Sequence, residues 1–491
     1  MNEIPNWLQN RAFLTPDRIA VKYNGESITF LDLHNRVVKV ANHLSTLGIK
    51  ENDMVSILMK NSVKMVELIH ALMYIGAVTV FLNSKLTKNE LRWQIQDSDS
   101  TFLITESRFN EELGSLHSNT ILVENLEEKE STTKAAIKEL FQLDRPNSIM
   151  YTSGTTGKPK GVVQTYGNHW SSAIGSVLNL GLQQNDCWLA AVPFFHISGL
   201  SILIRSVVYG IPVVIFDGFN AQEVNHSIIN EKVTIISVVS AMLTQLVADL
   251  RDDSYPDTFR CMLLGGGPAP KPLLELCKEK GIPVYQTYGM TETSSQIVTL
   301  SPEYSLSKLG SAGKPLFPCQ IRIEKNGNSL EAYEHGEIVV KGPNVTMGYY
   351  KREDATAKAL VDGWLYTGDI GYLDEEGFLF VLDRRNDLII SGGENIYPAE
   401  VESVLLSHPS IIDAGVIGRE SEKWGQVPVA FIKVNKTASL SSNDVILYCK
   451  ERLAKYKVPT EVFFIEELPR NASNKILRRK LVDILKQKVQ L

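Results

Sequence analysis

Between residues 30 and 83 the hydrophobic period of the chain changes three times. "FLDLHNRVVKVANHLSTLG" (30–48) repeats apolar residues at helical spacing and stops at Gly48, a residue suited to a helix C-cap. "MVSILMK" (54–60) is a short apolar run of the kind that forms a buried strand. "VKMVELIHALMYIG" (63–76) returns to the helical period and ends on Gly76, and "AVTVFLN" (77–83) is strand-like again. Strand, helix and strand at this spacing predict a βαβ unit in a mostly parallel sheet. The pattern returns at "PVVIFD" (212–217), "TIISVV" (234–239), "CMLLGGG" (261–267) and "PVYQTYG" (283–289), so the fold class is α/β. Residues 106–147 are polar and charged and read as surface elements joining two subdomains. A second boundary falls near "VLDRRNDLIISGG" (381–393). Beyond it the chain reads as a compact α+β unit: helix "PAEVESVLLSHP", strands "DAGVIG" and "PVAFIKV", helix "SNDVILYCKERLAKY".

At 491 residues the chain exceeds one ordinary domain and can bury a sizeable core. A formal charge of −6 gives no basis for nucleic-acid binding, which needs clustered Lys and Arg to neutralise phosphates. The five cysteines are odd in number and far apart, with no C-x-x-C pair, so neither a zinc site nor a disulfide framework is predicted. "MNEIPNWLQNRAF" lacks the basic-then-apolar order of a signal peptide. The longest apolar run, Leu200–Phe216, is interrupted by Arg205, Gly210 and Pro212 and is too short for a membrane span. The expectation is a cytoplasmic protein with no stable membrane insertion.

"YTSGTTGKPKG" (151–161) leaves the apolar segment "SIMY" and is unsuited to any core. Successive N–H groups in a glycine-rich turn form an anion-binding nest, and serine and threonine hydroxyls add donors. Lys158 and Lys160 supply mobile point charges. The stretch therefore reads as a polyphosphate cradle, with a solvated hairpin turn as the alternative. It is not a P-loop: two residues separate Gly154 from Gly157, and Pro159 follows the lysine where a magnesium-binding hydroxyl belongs.

Five motifs in order carry a resemblance. "YTSGTTGKPKG", "PFFHISGL" (193–200), "YGMTET" (288–293), "GWLYTGDIGYLDEEGFLFVLDRRNDLIISGGENIYPAEVE" (363–402) and "PRNASNKILRR" (469–479) resemble the motifs of the adenylate-forming superfamily. That superfamily holds acyl-CoA synthetases, luciferases and peptide-synthetase adenylation domains, and the likeness covers essentially the whole chain. It implies a large N-terminal domain of layered sheets and helices, residues 1–384, and a small mobile C-terminal domain, residues 385–491, with a hinge near 384–387. It also implies a reaction in which a carboxylate and ATP give an acyl-adenylate, after which CoA gives a thioester and AMP, with Mg²⁺ as cofactor. Two anions must meet in the first step, so cationic groups and a metal are required.

The resemblance assigns roles residue by residue. Thr152, Ser153, Gly154, Thr155, Thr156, Gly157 and Lys158 would hold phosphates. Glu292 is a hard oxygen ligand suited to magnesium, Thr291 a hydroxyl for the α-phosphate, and Tyr288, beside Gly289, a ring for adenine. Gly265, Gly266 and Gly267 permit close backbone approach to a ligand. Asp369 resembles the carboxylate that accepts ribose hydroxyls, and Arg384 a residue contacting ribose or phosphate. Lys475 would bridge the incoming carboxylate and the α-phosphate. His196 occupies a position gating the acyl pocket and has no general-base work, because the acid attacks already ionised. Asn386 stands at the hinge position, where relatives often carry Asp or Lys. Gly392 and Gly393 would leave room for a pantetheine arm after the small domain rotates.

Arg205 lies in the apolar helical pattern "HISGLSILIRSVVYG", nine residues beyond His196. Facing an acyl pocket it would need an anionic partner, since stranding a buried charge costs on the order of 3–5 kcal/mol. A second carboxylate on the substrate would serve, gripped by the guanidinium fork. The alternatives are an arginine reaching solvent or paired with a protein carboxylate. "NWLQNRAFLTPDRIA", "YGNHWSSAIGSVLNLGL", "FFHISGLSILIRSVVYG", "LLGGGPAP", "QIVTLSPE" and "LGSAGKPL" resemble the branch of the superfamily that makes CoA thioesters of 2-succinylbenzoate for menaquinone synthesis. On that resemblance Arg205 suits the aromatic carboxylate, and Thr287, Ser311 and Gln296 are polar wall residues. A ligase for another aryl or acyl acid and a non-catalytic nucleotide-binding module are the competing readings. The expected partners are small molecules, with a homo-oligomer left open.

Overall fold

The computed structural model describes residues 2–126, 134–152, 159–267, 269–384, 387, 389–391, 394–396, 398–421, 424–435, 439–453, 455–470 and 476–489. The βαβ unit is present: strands Met54–Leu58 and Val78–Phe81 are parallel neighbours joined by helix Val63–Ile75. Ser62 starts that helix by accepting the Met65 N–H on its side chain. Gly76 ends it at φ +82°, a left-handed conformation that lets its N–H reach the Leu72 and Met73 carbonyls. The preceding helix, Phe30–Thr46, is capped by Leu47, and Gly48 makes the reversal one residue later at φ +95°.

Around this unit lies a seven-stranded sheet. Its parallel part runs Thr120–Leu122, Phe102–Thr105, Met54–Leu58, Val78–Phe81 and Pro146–Thr152; Lys160–Thr165 and Gly348–Tyr349 continue it antiparallel. The polar stretch 106–147 is therefore more than a connector. Thr120–Leu122 forms the sheet edge, and Leu140–Gln142 pairs with Glu3–Pro5 near the N-terminus. Edge strands of three half-buried residues are too short to show an alternation.

A second, larger sheet has a parallel core ordered Ile19–Tyr23, Val213–Ile215, Trp188–Ala190, Ile235–Val239, Cys261–Gly265 and Val284–Met290. The four segments recognised by their apolar runs all lie in it. Ser295–Leu300 turns back antiparallel to Val284–Met290, and Ser311–Pro315 leads on to the antiparallel strands Leu379–Arg384, Trp364–Leu373, Gly336–Lys341 and Gln320–Lys325. The two sheets share one large core, in which helices such as Val63–Ile75 and Ile197–Tyr209 are buried on nearly every side.

The smaller C-terminal domain has its own five-stranded sheet and its own cores. Ile411–Ser421 and Gly425–Val434 pair antiparallel, and Glu461–Phe464 joins the latter in parallel. Alternation along these strands sends Val416, Ala430 and Ile432 to one core, with Val401 and Leu405 of helix Pro398–Leu406. Ile417, Val429 and Phe431 go to the other, with Leu481 and Leu485 of helix Arg478–Val489. The helix expected over 442–456 is shorter, Ser442–Lys450, because Pro459 lies close ahead and a 3-10 turn, Lys455–Lys457, takes up the approach. No described helix is long and apolar enough to cross a membrane.

Candidate active site

In the large sheet the chain steps from Trp188–Ala190 to one side, Val213–Ile215, and then to the other, Ile235–Val239. Such a reversal opens a crevice at the carboxyl ends of parallel strands. The segment Pro193–His196 leaves the first of these strands at that edge, and Gly265 to Gly267 and Tyr288 to Glu292 leave two others beside it. A Cβ on Gly265 would sit 3.4 Å from Thr287 Cγ2, so the glycine turn and the "YGMTET" strand touch. Gly266 has φ +83°, and Gly267 has open space where its side chain would be. With no side chains at these positions, the backbone there is open to close approach.

Tyr288 and Asp369, drawn from motifs 81 residues apart, meet directly: the phenol donates to Asp369 Oδ2 at 2.8 Å. Asp369 is nearly buried at the centre of strand Trp364–Leu373, and its cross-strand neighbour is Arg384. An aromatic ring and an adjacent carboxylate on a rigid sheet can take a nucleoside, one by stacking and the other by accepting hydroxyl protons.

Glu292 is half-buried and accepts a hydrogen bond from Tyr349 Oη at 3.1 Å; Lys160 Nζ stands 5.0 Å above the same tyrosine ring. The Glu292 carbonyl takes the Thr346 N–H at 2.7 Å. No group of three or more His, Cys, Asp or Glu among the described residues could cage a metal. One well-placed carboxylate fits magnesium, which usually keeps waters and rides on substrate phosphates.

The helix expected on the acyl side is Ile197–Tyr209; its N-cap residue is His196, whose ring lies 4.7 Å from that of Phe195. Gly199 is required by packing: a Cβ there would fall 2.2 Å from the Pro193 carbonyl oxygen. Arg205 is 1% exposed. Its guanidinium lies 5.3 Å from the Trp188 ring centroid, and Nη2 reaches Ser295 Oγ at 3.4 Å. Nε and Nη1 have no hydrogen-bond partner, and burial pulls the guanidinium below its ordinary range. Both bland alternatives fail among the described residues, since Arg205 reaches neither solvent nor a protein carboxylate.

Thr287 and Gln296 belong to one buried polar chain: Ser176 Oγ donates to Gln296 Oε1 at 2.8 Å, and Gln296 Nε2 donates to Thr299 Oγ1 at 2.8 Å. Thr299 Oγ1 lies 3.5 Å from Thr287 Oγ1, which donates to the Val298 carbonyl. Ser311 is placed differently. Its hydroxyl donates to Leu379 O and accepts from Gly313 N–H, tying two strands together.

Thr152 ends strand Pro146–Thr152 at the edge of the phosphate motif. Ser153, Gly154, Thr155, Thr156, Gly157, Lys158, Asn386, Gly392, Gly393 and Lys475 lie outside the described residues, and Arg384 is described by its backbone alone. Trp188, Ser176, Ser295, Thr299 and Tyr349 were missed by sequence reasoning. Trp188 sits inside an apolar run that reads as core, and the others carry no local pattern.

Comparison with known proteins bears on the family and the fold. The AMP-binding enzyme family matches residues 8–350, and the AMP-binding enzyme C-terminal domain matches residues 400–475. A 2-succinylbenzoate–CoA ligase from Geobacillus sp. (strain WCH70) is 59% identical over 485 residues, covering 98% of each chain. The o-succinylbenzoate CoA synthetase of Bacillus subtilis in complex with the acyl-adenylate intermediate OSB-AMP superposes with a TM-score of 0.94 at 53% identity, covering 98% of each chain. The same enzyme in complex with ATP and magnesium ion gives a TM-score of 0.93, with 98% of this chain and 100% of that chain covered.

Proposed function

The chain belongs to the AMP-binding enzyme family, and from that premise we propose that it makes 2-succinylbenzoyl-CoA from 2-succinylbenzoate, ATP and CoA, the step that serves menaquinone synthesis. An oxygen of the succinyl carboxylate attacks the α-phosphorus of ATP, and pyrophosphate leaves with the bonding electrons. The CoA sulfur, having lost its proton, then attacks the acyl carbon, and AMP leaves.

One observation supports this acid above others: Arg205 is fully buried, with two nitrogens unpaired and no carboxylate beside it among the described residues. A dicarboxylate supplies the missing anion, and its aromatic carboxylate would stay ionised on Arg205 while the succinyl end reacts. Thr287 and Gln296 line the same wall, and His196 closes its mouth. Ser311 contributes through the strand pairing it fixes. Tyr288 with Gly265, Gly266 and Gly267 receives adenine, Asp369 and Arg384 the ribose, and Thr152 to Lys158 the phosphates. Glu292 would hold magnesium, whose chemistry when bound is to neutralise phosphate charge. Thr291 orients the α-phosphate, and Lys475 neutralises the repulsion between it and the incoming acid.

The small domain, residues 385–491, is proposed to pivot near Asn386 between the two half-reactions, withdrawing Lys475 and bringing Gly392 and Gly393 to the pantetheine path. The protein is proposed to work in the cytoplasm on small molecules, with a homo-oligomer open and no nucleic acid involved. The test is AMP release with magnesium, ATP and CoA across 2-succinylbenzoate, benzoate and medium-chain acids. Preference for 2-succinylbenzoate is expected, and release with another acid at equal or greater kcat/KM would refute the assignment. Lys475→Ala should abolish adenylation yet spare thioester formation from supplied acyl-adenylate; equal loss of both steps contradicts the pivot.

A further inference from the structure

Three polar side chains sit in the core directly below the nucleotide edge. Ser148 and Gln164 are cross-strand partners on the two strands that flank the phosphate motif, and His169 lies on the helix Tyr166–Leu180 that follows. Ser148 and Gln164 are fully buried, and His169 is 2% exposed. His169 Nε2 is 2.8 Å from Ser148 Oγ, Ser148 Oγ is 2.9 Å from Gln164 Oε1, and Gln164 Nε2 is 3.1 Å from the Thr291 carbonyl.

The polarity of this chain is determined from one end. A backbone carbonyl only accepts, so Gln164 must present its N–H to Thr291 and its oxygen to Ser148. Ser148 therefore donates to Gln164, and its own oxygen accepts a hydrogen bond from His169 Nε2–H. Burial lowers His169 to about 3, so the ring is neutral and carries its one N–H at that nitrogen.

The other end of the chain is the turn bearing Thr291 and Glu292. Every carbonyl from Thr291 to Ser295 accepts a hydrogen bond. Glu292 O takes Thr346 N–H at 2.7 Å, Thr293 O takes Asn344 Nδ2 at 2.8 Å, Ser294 O takes Ser172 Oγ at 2.6 Å, and Ser295 O takes Thr293 Oγ1 at 2.7 Å. The turn needs this support, because Ser294 and Ser295 hold φ of +50° and +101° without being glycine. Of these contacts, the one from Gln164 lands on Thr291 and comes from the strand that follows the phosphate motif.

We propose that Gln164, aligned by Ser148 and His169, is a positioning residue that locks the strands flanking the phosphate motif to the Thr291–Glu292 turn. The two parts of the nucleotide site come from segments 127 residues apart, and a displacement of about 1 Å in such a site costs about 100-fold in rate. The proposal rests on the reading that Thr291 and Glu292 handle ATP and magnesium. It assigns Gln164 no contact with either.

Gln164→Met removes the donor at similar length, and Ser148→Ala releases the Gln164 oxygen with little change in shape. For Gln164→Met, acid-dependent ATP–pyrophosphate exchange should fall about 2- to 12-fold, the worth of one buried hydrogen bond, since Thr291 O keeps the Ser294 N–H at 3.1 Å. Calorimetric affinity for ATP with magnesium should weaken. KM for the acid and the rate of thioester formation from supplied acyl-adenylate should change less, since they meet the turn only through Ser295 and the α-phosphate and involve no magnesium-bound pyrophosphate; a general loss of folding would impair all of them equally. Ser148→Ala should show a smaller loss, about 2- to 5-fold, again larger in exchange than in thioester formation. Equal loss in both half-reactions, or exchange at the wild-type rate, overturns the proposal. If Gln164→Met does not fold, Ser148→Ala decides alone by the same criteria. Wild-type protein that performs no exchange would instead overturn the functional reading beneath it, a failure visible in the unaltered chain.

Discussion

Replacing Arg205 by methionine should separate substrate recognition from stability. Arg205 is 1% exposed in the free protein, and among the described residues its guanidinium has one hydrogen bond, at the outer limit of 3.4 Å, and two nitrogens unpaired. The Trp188 ring at 5.3 Å offsets part of the cost, by about 2 kcal/mol for a desolvated cation–π contact. Stranding a buried charge costs on the order of 3–5 kcal/mol, so the cation remains a net burden until an anion arrives. Methionine has similar reach and no charge, so the unliganded variant should melt at the same temperature as the parent or above it. Binding should move the other way. A hydrogen bond to a charged group is worth about 1.5–3 kcal/mol, which is about 12- to 150-fold in affinity. The assay compares KM for 2-succinylbenzoate with KM for 4-oxo-4-phenylbutanoate, which keeps the succinyl arm and ring and lacks the aromatic carboxylate. The first should rise by that factor and the second by less than about threefold. If the variant melts lower and both acids suffer alike, Arg205 is a core element and the dicarboxylate argument fails.

His70 is completely buried with Nε2 unpaired, and burial lowers it to about 4. The unfolded imidazole takes its proton near pH 6.5 and the folded one only near 4, so stability contributed by the neutral ring is full above 6.5 and is lost as pH falls from there. His70→Leu should flatten that window by up to about 1.4 kcal/mol per pH unit; urea midpoints at neutral and mildly acid pH measure it, and an unchanged difference refutes it. Gly289→Ala places a Cβ 2.0 Å from the Ser295 carbonyl oxygen and 2.8 Å from Gln296 Cα. Both are backbone, so overpacking should cost about 1–3 kcal/mol or more and cut adenylation at least about tenfold; wild-type exchange in that variant would mean the hairpin shifts without consequence.

The parts of the fold that were legible in advance were those buried on both faces. "TIISVV" and "CMLLG" announce themselves because a parallel strand covered on both faces is apolar at nearly every position. Thr120–Leu122 is half-buried, three residues long and at an edge, and nothing in its composition separates it from a loop. Arg205 was visible as a charge inside an apolar helical pattern, but its neighbour Ser295 was not. "TSSQ" reads as a polar turn, and the left-handed backbone there is imposed by distant donors, with no glycine to signal it. Gln164 is the extreme case. One glutamine at a strand end suggests a surface position, and the contacts that give it meaning come from 16 residues upstream and 127 downstream. Local pattern reveals burial and turn chemistry; it does not reveal which buried donor meets which remote carbonyl.

The treatment of donors and acceptors differs sharply between the two halves of the site, and the difference follows from what each must do. At the Thr291–Ser295 turn all five carbonyls are matched by the protein itself, so on the proposed assignment the groups offered to ATP need no rearrangement when it arrives. At Arg205 the protein withholds the match. An aspartate or glutamate at that wall would satisfy the guanidinium and stabilise the free fold, but on the proposed assignment it would also occupy the place of the substrate's second carboxylate and repel it. One cation cannot be both internally neutralised and available. A fold of this size tolerates a few kcal/mol of unpaired charge, and in return a monocarboxylate entering the pocket leaves Arg205 stranded while a dicarboxylate does not. Selectivity for a doubly charged acid therefore needs no obstacle against the wrong substrate, only a buried charge that the protein declines to pair.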